Sequence, residues 1–421
     1  MNKQEFDRFK GLLNGEQVHQ LSSKVVIDAL RTQSVNRLLE TQANHLYLVH
    51  DPCDIRKPHS EKLEDLGTVR SLDGELIKGY RSMNTIAIEP EQLKVHLIDH
   101  VVYSNGSDNY VKRSELESYQ TDQWHKVPAK VLKRINNEDY VNTYKLFTDQ
   151  ARRCSEQLKS DHPDLKLTHI QDREFDGEEY FKFIDQQLGD YFITRVRKSR
   201  NSNESKPILT KQGKPSKKRL YDKLISKSFT HSWKYQLNKV RFKKRIYQQA
   251  NCLIEWEPFV LNGHRIYTVI RVQFTDRKGR SIFKQPMLLI TNHVVKEEKL
   301  ALSIYKNYLL RSKIEALFKF LKEELGWEKI RVRDFQSIQN LLALGFYIGG
   351  YFYDIEQITA QDELYQQIAK LGGGKGKFTK FYLVKGLARL CQYRQMVEML
   401  KGIPPDQRQK ILELANFDAA P

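Results

Sequence analysis

Short apolar runs rich in β-branched residues dominate the first half of the chain, and helical periodicity takes over in the last third. HLYLVHD (45–51) is a compact apolar run ending in an acid, which predicts a buried strand. MNTIAIEP (83–90) and VHLIDHVVY (95–103) predict two more strands, separated from the first by a charged, turn-rich segment from Asp54 to Gly79. Helical character returns from Asp139 to Gln157. LTHIQD (167–172) predicts a strand that again ends in an acid, EEYFKFIDQQLG (178–189) a helix closed by glycine, and YFITRVR (191–197) a further strand. Residues 1–43 read as short helices with polar joints.

The pattern is interrupted at 199–285, which is basic first and then strand-like: CLIEWEPFVL, HRIYTVIRVQF and SIFKQPMLLITN, with NG and DRKG between them. This predicts an inserted β-rich subdomain whose last two strands, ending at Asn292, return to the main sheet. Beyond it the chain reads as helical, broken at Pro404–Pro405. Strands, helix, strand, helix, strand and then helices make an α/β layered domain. Two acids sit just past strand ends, and rigid supports of that kind let carboxylates converge. GGGKGK (372–377) lacks the spacing and the hydroxyl of a phosphate-binding loop, and no strand precedes it.

Other function classes recede. The longest apolar run, LLALGFYIGGYFY (341–353), is too short to span a bilayer and predicts a buried helix. MNKQEFDRFK at the start carries no apolar core, so a soluble, cytoplasmic protein is expected. Cys53, Cys154, Cys252 and Cys391 form no C-x-x-C pair and have no histidine cluster beside them, which argues against structural zinc and against a disulfide framework.

The formal charge is +18 and is concentrated. From Arg195 to Arg245 there are 18 Lys and Arg against Glu204 and Asp222, a balance of 18 − 2 = +16. Such a field suits a polyanion, and the interleaved Trp233, Tyr235, Phe242 and Tyr247 favour nucleic acid over a merely solubilising loop.

YKNYLLRSKIEALFKFLKEELGW (305–327) has no Gly or Pro before Gly326 and predicts one long helix. At ~100° per residue, Tyr308, Arg311, Glu315 and Lys322 share a stripe about 60° wide. Leu309, Leu310, Ile314, Leu317, Phe320 and Leu321 cover the other side. Periodicity by itself is equally satisfied by a solvated face with i,i+4 ion pairs.

The spacing Y-x2-R-x3-E-x6-K resembles the YREK signature of DDE transposases of the bacterial insertion-sequence-four family, at every interval. HDPCDI (50–55) resembles that family's first-acid strand end, although Pro52 and Cys53 stand where relatives often carry Thr or Ser. IQDREFD (170–176) resembles its D-R-E-x-D motif, and KIRVRDFQSIQNLLAL (329–344) the stretch after the YREK helix. The resemblance spans residues ~45–355. It implies a ribonuclease-H-like mixed sheet flanked by helices, with a β-rich insertion. The division it implies is a short helical N-terminal region (1–43), a first part of the catalytic core (44–198), the insertion (199–285), a second part carrying the YREK helix (286–355) and a helical C-terminal region (356–421).

It further implies that Asp51, Asp172 and Glu315 are catalytic and hold two Mg²⁺ ions, with Mn²⁺ able to substitute. Asp54 and Asp176 are rivals to the first two. Hard divalent cations prefer carboxylate oxygen, and a pair of them activates the attacking oxygen and stabilises the leaving one. Tyr308, Arg311 and Lys322 would contact DNA phosphates. Trp256, with Trp233 as rival, would stack on a flipped base near the cut, although a tryptophan in a β-rich region is more often core. The expected activity is excision of an insertion sequence at its terminal inverted repeats and joining of the 3′-OH ends to target DNA. The expected partners are double-stranded DNA and a second copy of the chain in a synaptic complex, at the nucleoid. A stand-alone nuclease of the same fold, and a DNA-binding protein that descends from a transposase and no longer cuts, are the competing expectations; the retained acids favour activity.

Overall fold

The computed structural model describes residues 22–120, 123–198, 220–242, 245–261, 265–358, 362–374 and 378–405, with 407, 408 and 410. The chain divides into two units, residues 1–318 with 327–347, and residues 319–326 with 348–421. Residues 1–21 and 199–219, the latter holding much of the basic run, lie outside the described residues.

Among the described residues the first unit begins with α1 (Ser23–Glu40), a single 18-residue helix where the sequence suggests short pieces. Four strands follow: β1 (His45–Arg56), β2 (Gly67–Arg70), β3 (Leu76–Ile88) and β4 (Val95–Tyr103). Helices α2 (Arg113–Gln120), α3 (Ala129–Asn136) and α4 (Thr143–Lys159) lead to β5 (Lys166–Gln171). The start of α4 is capped by Asn142, whose side-chain oxygen accepts from the Lys145 amide at 2.8 Å. Helix α5 (Glu178–Lys182) widens into a π-helical turn, Phe183–Leu188, and Gly189 closes it at φ +66°, a left-handed conformation that glycine adopts without strain. β6 (Tyr191–Arg195) follows.

Next come α6 (Leu220–Ser226), β7 (His231–Phe242), β8 (Arg245–Leu261), β9 (Arg265–Asp276) and β10 (Met287–Thr291). The ten strands form one mixed sheet in the order β2-β3-β1-β5-β6-β10-β9-β8-β7, with β4 on the same edge of β3 as β2. β1 is antiparallel to β3 and parallel to β5, β5 is parallel to β6, and the remaining pairs are antiparallel. The β-rich segment therefore extends the main sheet and has no sheet of its own. Of its last two strands, β9 pairs with both β8 and β10, and β10 alone reaches β6.

β1 and β5 lie in the middle of this sheet and are buried along most of their length, as strands covered on both faces must be. On one side α1 and α4 lay Val35, Leu38 and Leu158 over Leu46, Leu48 and Leu167. Phe147 of α4 joins Phe175, Phe181 and Phe192 in a second, aromatic cluster that reaches Tyr221 and Leu224 of α6.

Two expectations are corrected. β1 does not end at Asp51 but runs on to Arg56, because β3 continues beside it to the Arg56–Gly79 pair. The parallel partner β5 does stop there: its last pairing is His50 with Gln171, so the next residues on the two strands are Asp51 and Asp172. The long helix expected over 305–327 is two helices, α7 (Glu298–Leu309) and α8 (Ser312–Glu323). The break is a tightened turn in which Leu310 N–H donates to Asn307 O at 3.0 Å and Arg311 N–H to Tyr308 O at 3.1 Å, one residue short of the α-helical reach.

After α8 the chain forms α9 (Phe335–Ile358), α10 (Glu363–Leu371) and α11 (Lys380–Lys401). In the second unit, α10 and α11 pack so closely that a Cβ on Gly386 would lie 1.8 Å from Ile368 O and one on Gly372 1.9 Å from Tyr382 O. The first glycines of GGGKGK thus serve a tight helical hairpin; residues 375–377 lie outside the described residues. Among the described residues no helix is long and apolar enough to cross a membrane.

Candidate active site

Asp51 and Asp172 emerge side by side where the β1–β5 pairing ends, and the start of α8 brings Glu315 to them. Asp51 is buried, Asp172 half-buried and Glu315 exposed. Arg311 joins them: its guanidinium donates to Asp51 Oδ2 at 2.8 Å and, through its other terminal nitrogen, to Glu315 Oε1. The Tyr308 hydroxyl, on the last turn of α7, donates to Asp172 Oδ1 at 3.4 Å. Residues far apart in sequence thus meet in the middle of the sheet, where the β1–β5 pairing ends. The break between α7 and α8 lies between Tyr308 and Glu315, with Arg311 inside it.

The electrostatics are those of a carboxylate cluster. Burial pushes the Asp51 carboxyl up to about 8; Arg311 pulls the other way, while Asp172, Glu174 and Glu315 push it further up. Burial and the Asp172 carboxylate raise the Tyr308 phenol well above its usual range, keeping it a hydrogen-bond donor. The Arg311 guanidinium is penalised by burial but held charged by Asp51 and Asp172.

The rival acids have other work. Asp54 accepts from the Arg81 guanidinium at 2.9 Å and from the Arg70 amide at 3.2 Å. Asp176 is buried and accepts from the Arg197 amide at 2.6 Å, tying the segment after β5 to the end of β6. Trp256 is 4% exposed, with its ring against His231 at 5.6 Å. Trp233 is half-buried on the edge strand β7 and stacks on Tyr235 at 4.8 Å. Lys322 lies in the last turn of α8, within the second unit.

Further residues belong to the neighbourhood. Glu174, inside the D-R-E motif, receives both terminal nitrogens of Arg81, at 2.9 and 3.0 Å. Arg195, at the end of β6, acts electrostatically on Tyr308. Beneath the site, His50 hydrogen-bonds Thr85 and, through Nε2, His169 Nδ1, both at 2.9 Å. His169 Nε2 meets Asp190 at 3.1 Å, and Asp190 accepts from Ser155 and Lys159. His50 is fully buried. Its burial and the adjacent His169 hold its pKa well below the usual value, so it is a neutral link in a buried polar chain.

Among the described residues no three His, Cys, Asp or Glu side chains are gathered as ready metal ligands. The donor chemistry nevertheless fits a hard divalent cation: the converging groups are carboxylate oxygens, Asp51 carries an excess of neighbouring negative charge, and a guanidinium already stands between two of the acids as a resident cation. No protein-family model matches the chain, and no curated protein sequence matches it either.

Proposed function

We propose that this chain is a DNA strand transferase of the DDE type, which frees the 3′ ends of an insertion sequence and joins them to target DNA. The observation that carries the reading is the convergence of Asp51 and Glu315 on Arg311, with Asp172 beside Asp51 at the end of the β1–β5 pairing and bonded by Tyr308. The mixed sheet flanked by helices supports a ribonuclease-H-like core, and the YREK spacing and the +18 charge support DNA as substrate.

Asp51, Asp172 and Glu315 would hold the divalent cations. When bound, those cations supply activation of an oxygen nucleophile and stabilisation of a leaving oxygen. The chain's own residues position the phosphate. Tyr308, kept protonated, offers a hydroxyl to a phosphate oxygen. Arg311, once released from Asp51, offers a charged fork that matches the same group. In the first step water attacks phosphorus at the element's end, the P–O3′ bond breaks and the 3′-OH leaves. In the second, that 3′-OH attacks a target phosphate and displaces another 3′ oxygen.

The test is cleavage of a duplex carrying the gene's own flanks, with Mg²⁺, by the full chain and by Glu315→Gln. Cuts at the element ends that vanish in the variant are expected. Tight binding by both proteins with no cuts would replace this reading with that of a non-catalytic DNA-binding protein.

A further inference from the structure

β7, β8 and β9 present two faces of different chemistry. One carries Cys252, Ile254 and Phe274 and is covered by α7, whose Tyr305 meets Phe274 at 6.0 Å. On the other, cross-strand partners share a face: Lys234 with Leu253 and Gln273, and Gln236 with Asn251 and Thr275. These residues line a groove of about 530 Å³. One end of this face is closed, because Arg271 donates to the carbonyls of Leu224, Ile225 and Lys227 at the end of α6. The groove beyond it is open, with Lys234, Gln236 and Asn251 exposed.

The charge of this region is one-sided. Its acids, Glu255, Glu257 and Asp276, are buried and paired with Arg271, Lys227 and Arg280. Its exposed ionic groups are cations: Lys234, Lys239, Arg241, Arg245 and Arg265. β7 is the outer strand of the sheet, and β8 runs past the end of β9, so that Arg245 to Gln249 pair with β7 alone. The result is a two-stranded ribbon with cations at its tip and amides at its root.

We infer that this open face of β7–β9 is a base-reading surface for duplex DNA, in which Gln236, Asn251 and Gln273 hydrogen-bond base edges while Lys234 and the ribbon's arginines hold phosphates. Three strands about 4.8 Å apart present a face roughly 10 Å across, within the width of a major groove of about 12 Å, and the two-stranded tip extends it as a ribbon of the kind that groove admits. Carboxamides supply the paired donor and acceptor that adenine presents there. The absence of exposed carboxylates on these strands removes the repulsion that a polyanion would meet. The inference deepens the DNA reading above but does not depend on the cluster being catalytic.

The test is selection of bound duplexes from a random DNA pool by the full chain, by Gln236→Ala/Asn251→Ala/Gln273→Ala, and by each single variant, with circular dichroism confirming the fold. The wild-type chain is expected to enrich a motif. The triple variant should lose information at several positions and bind that motif at least about tenfold more weakly, with an unchanged salt slope. Lys234→Ala should weaken all duplexes alike and reduce the slope by about one. An identical motif from wild type and variants overturns the inference, as does binding by wild type with no motif or equal competition by duplex RNA. Motif loss in a chain that never cuts DNA would leave the inference standing and remove the strand-transfer reading.

Discussion

Arg311 donates to Asp51 across 260 positions of sequence, at 2.8 Å, and the same guanidinium holds Glu315 four residues further on. A positive charge therefore stands where two acids of the candidate site would share a divalent cation. Removing it should tighten divalent-cation binding. We expect Arg311→Ala to bind Mn²⁺ about tenfold more tightly than wild type at pH 8.5, in titrations followed by electron paramagnetic resonance. Weaker binding would mean that Arg311 organises the acids for the cation and does not compete with it.

The Asp51 carboxyl, pushed by burial up to about 8, fixes the sign of a pH effect. A group that holds its proton more tightly folded than unfolded contributes stability that is complete below its unfolded value of 3.8 and is lost as pH rises through about 8. Asp51→Asn removes that loss. In chelator, its unfolding free energy should gain on wild type between pH 5 and pH 8.5, on the order of a few kcal/mol. Adding Mg²⁺ at pH 8.5 should stabilise wild type but not the variant. Parallel pH profiles for the two proteins would show that Asp51 ionises normally.

Much of the site was legible because its residues sit at places that pattern marks. β5 reads as an apolar run closed by Asp172, and the structure ends it at Gln171. The apolar run of β1 breaks at Pro52 and Asp54, so its pattern ends at Asp51; what extends the strand is the ladder to β3, a partner more than 20 residues away. The break at Leu310–Arg311 has no Gly or Pro to announce it. Nothing local explains why Arg311 should leave an ideal helix, and its partner Asp51 lies far up the chain. The His50–His169–Asp190 chain was invisible for the same reason, since it exists only once β1 and β5 are side by side. Glu174 could have been found: it is the middle acid of the D-R-E-x-D motif, two residues past Asp172.

His100 supplies a second, opposite pH dependence. Burial drives its pKa down to about 3, and its ring packs against those of Trp327, at 5.0 Å, and Phe346, at 4.8 Å. A histidine kept neutral in the fold contributes stability that is complete above its unfolded value of 6.5 and is lost as pH falls toward 3. The thermal midpoint of the wild-type chain should therefore fall between pH 6.5 and pH 4 more steeply than that of His100→Phe, which cannot titrate. Equal slopes would assign acid lability to other groups.

Gly345 lies on α9 where that helix crosses Trp327. A Cβ there would sit 2.7 Å from the indole Nε1 and 3.3 Å from Cδ1. In an open helix, Gly→Ala stabilises by about 1 kcal/mol. Here the indole is 1% exposed and rigid, so it cannot yield as a flexible side chain would. Overpacking of this kind costs about 1–3 kcal/mol and should outweigh the helical gain. Gly345→Ala is thus expected to lower the midpoint of denaturant unfolding. The same substitution in a Trp327→Phe background should be neutral or stabilising, because the smaller ring lacks the atom that is struck. Equal destabilisation in both backgrounds would place the cost in the helix itself and away from the contact with Trp327.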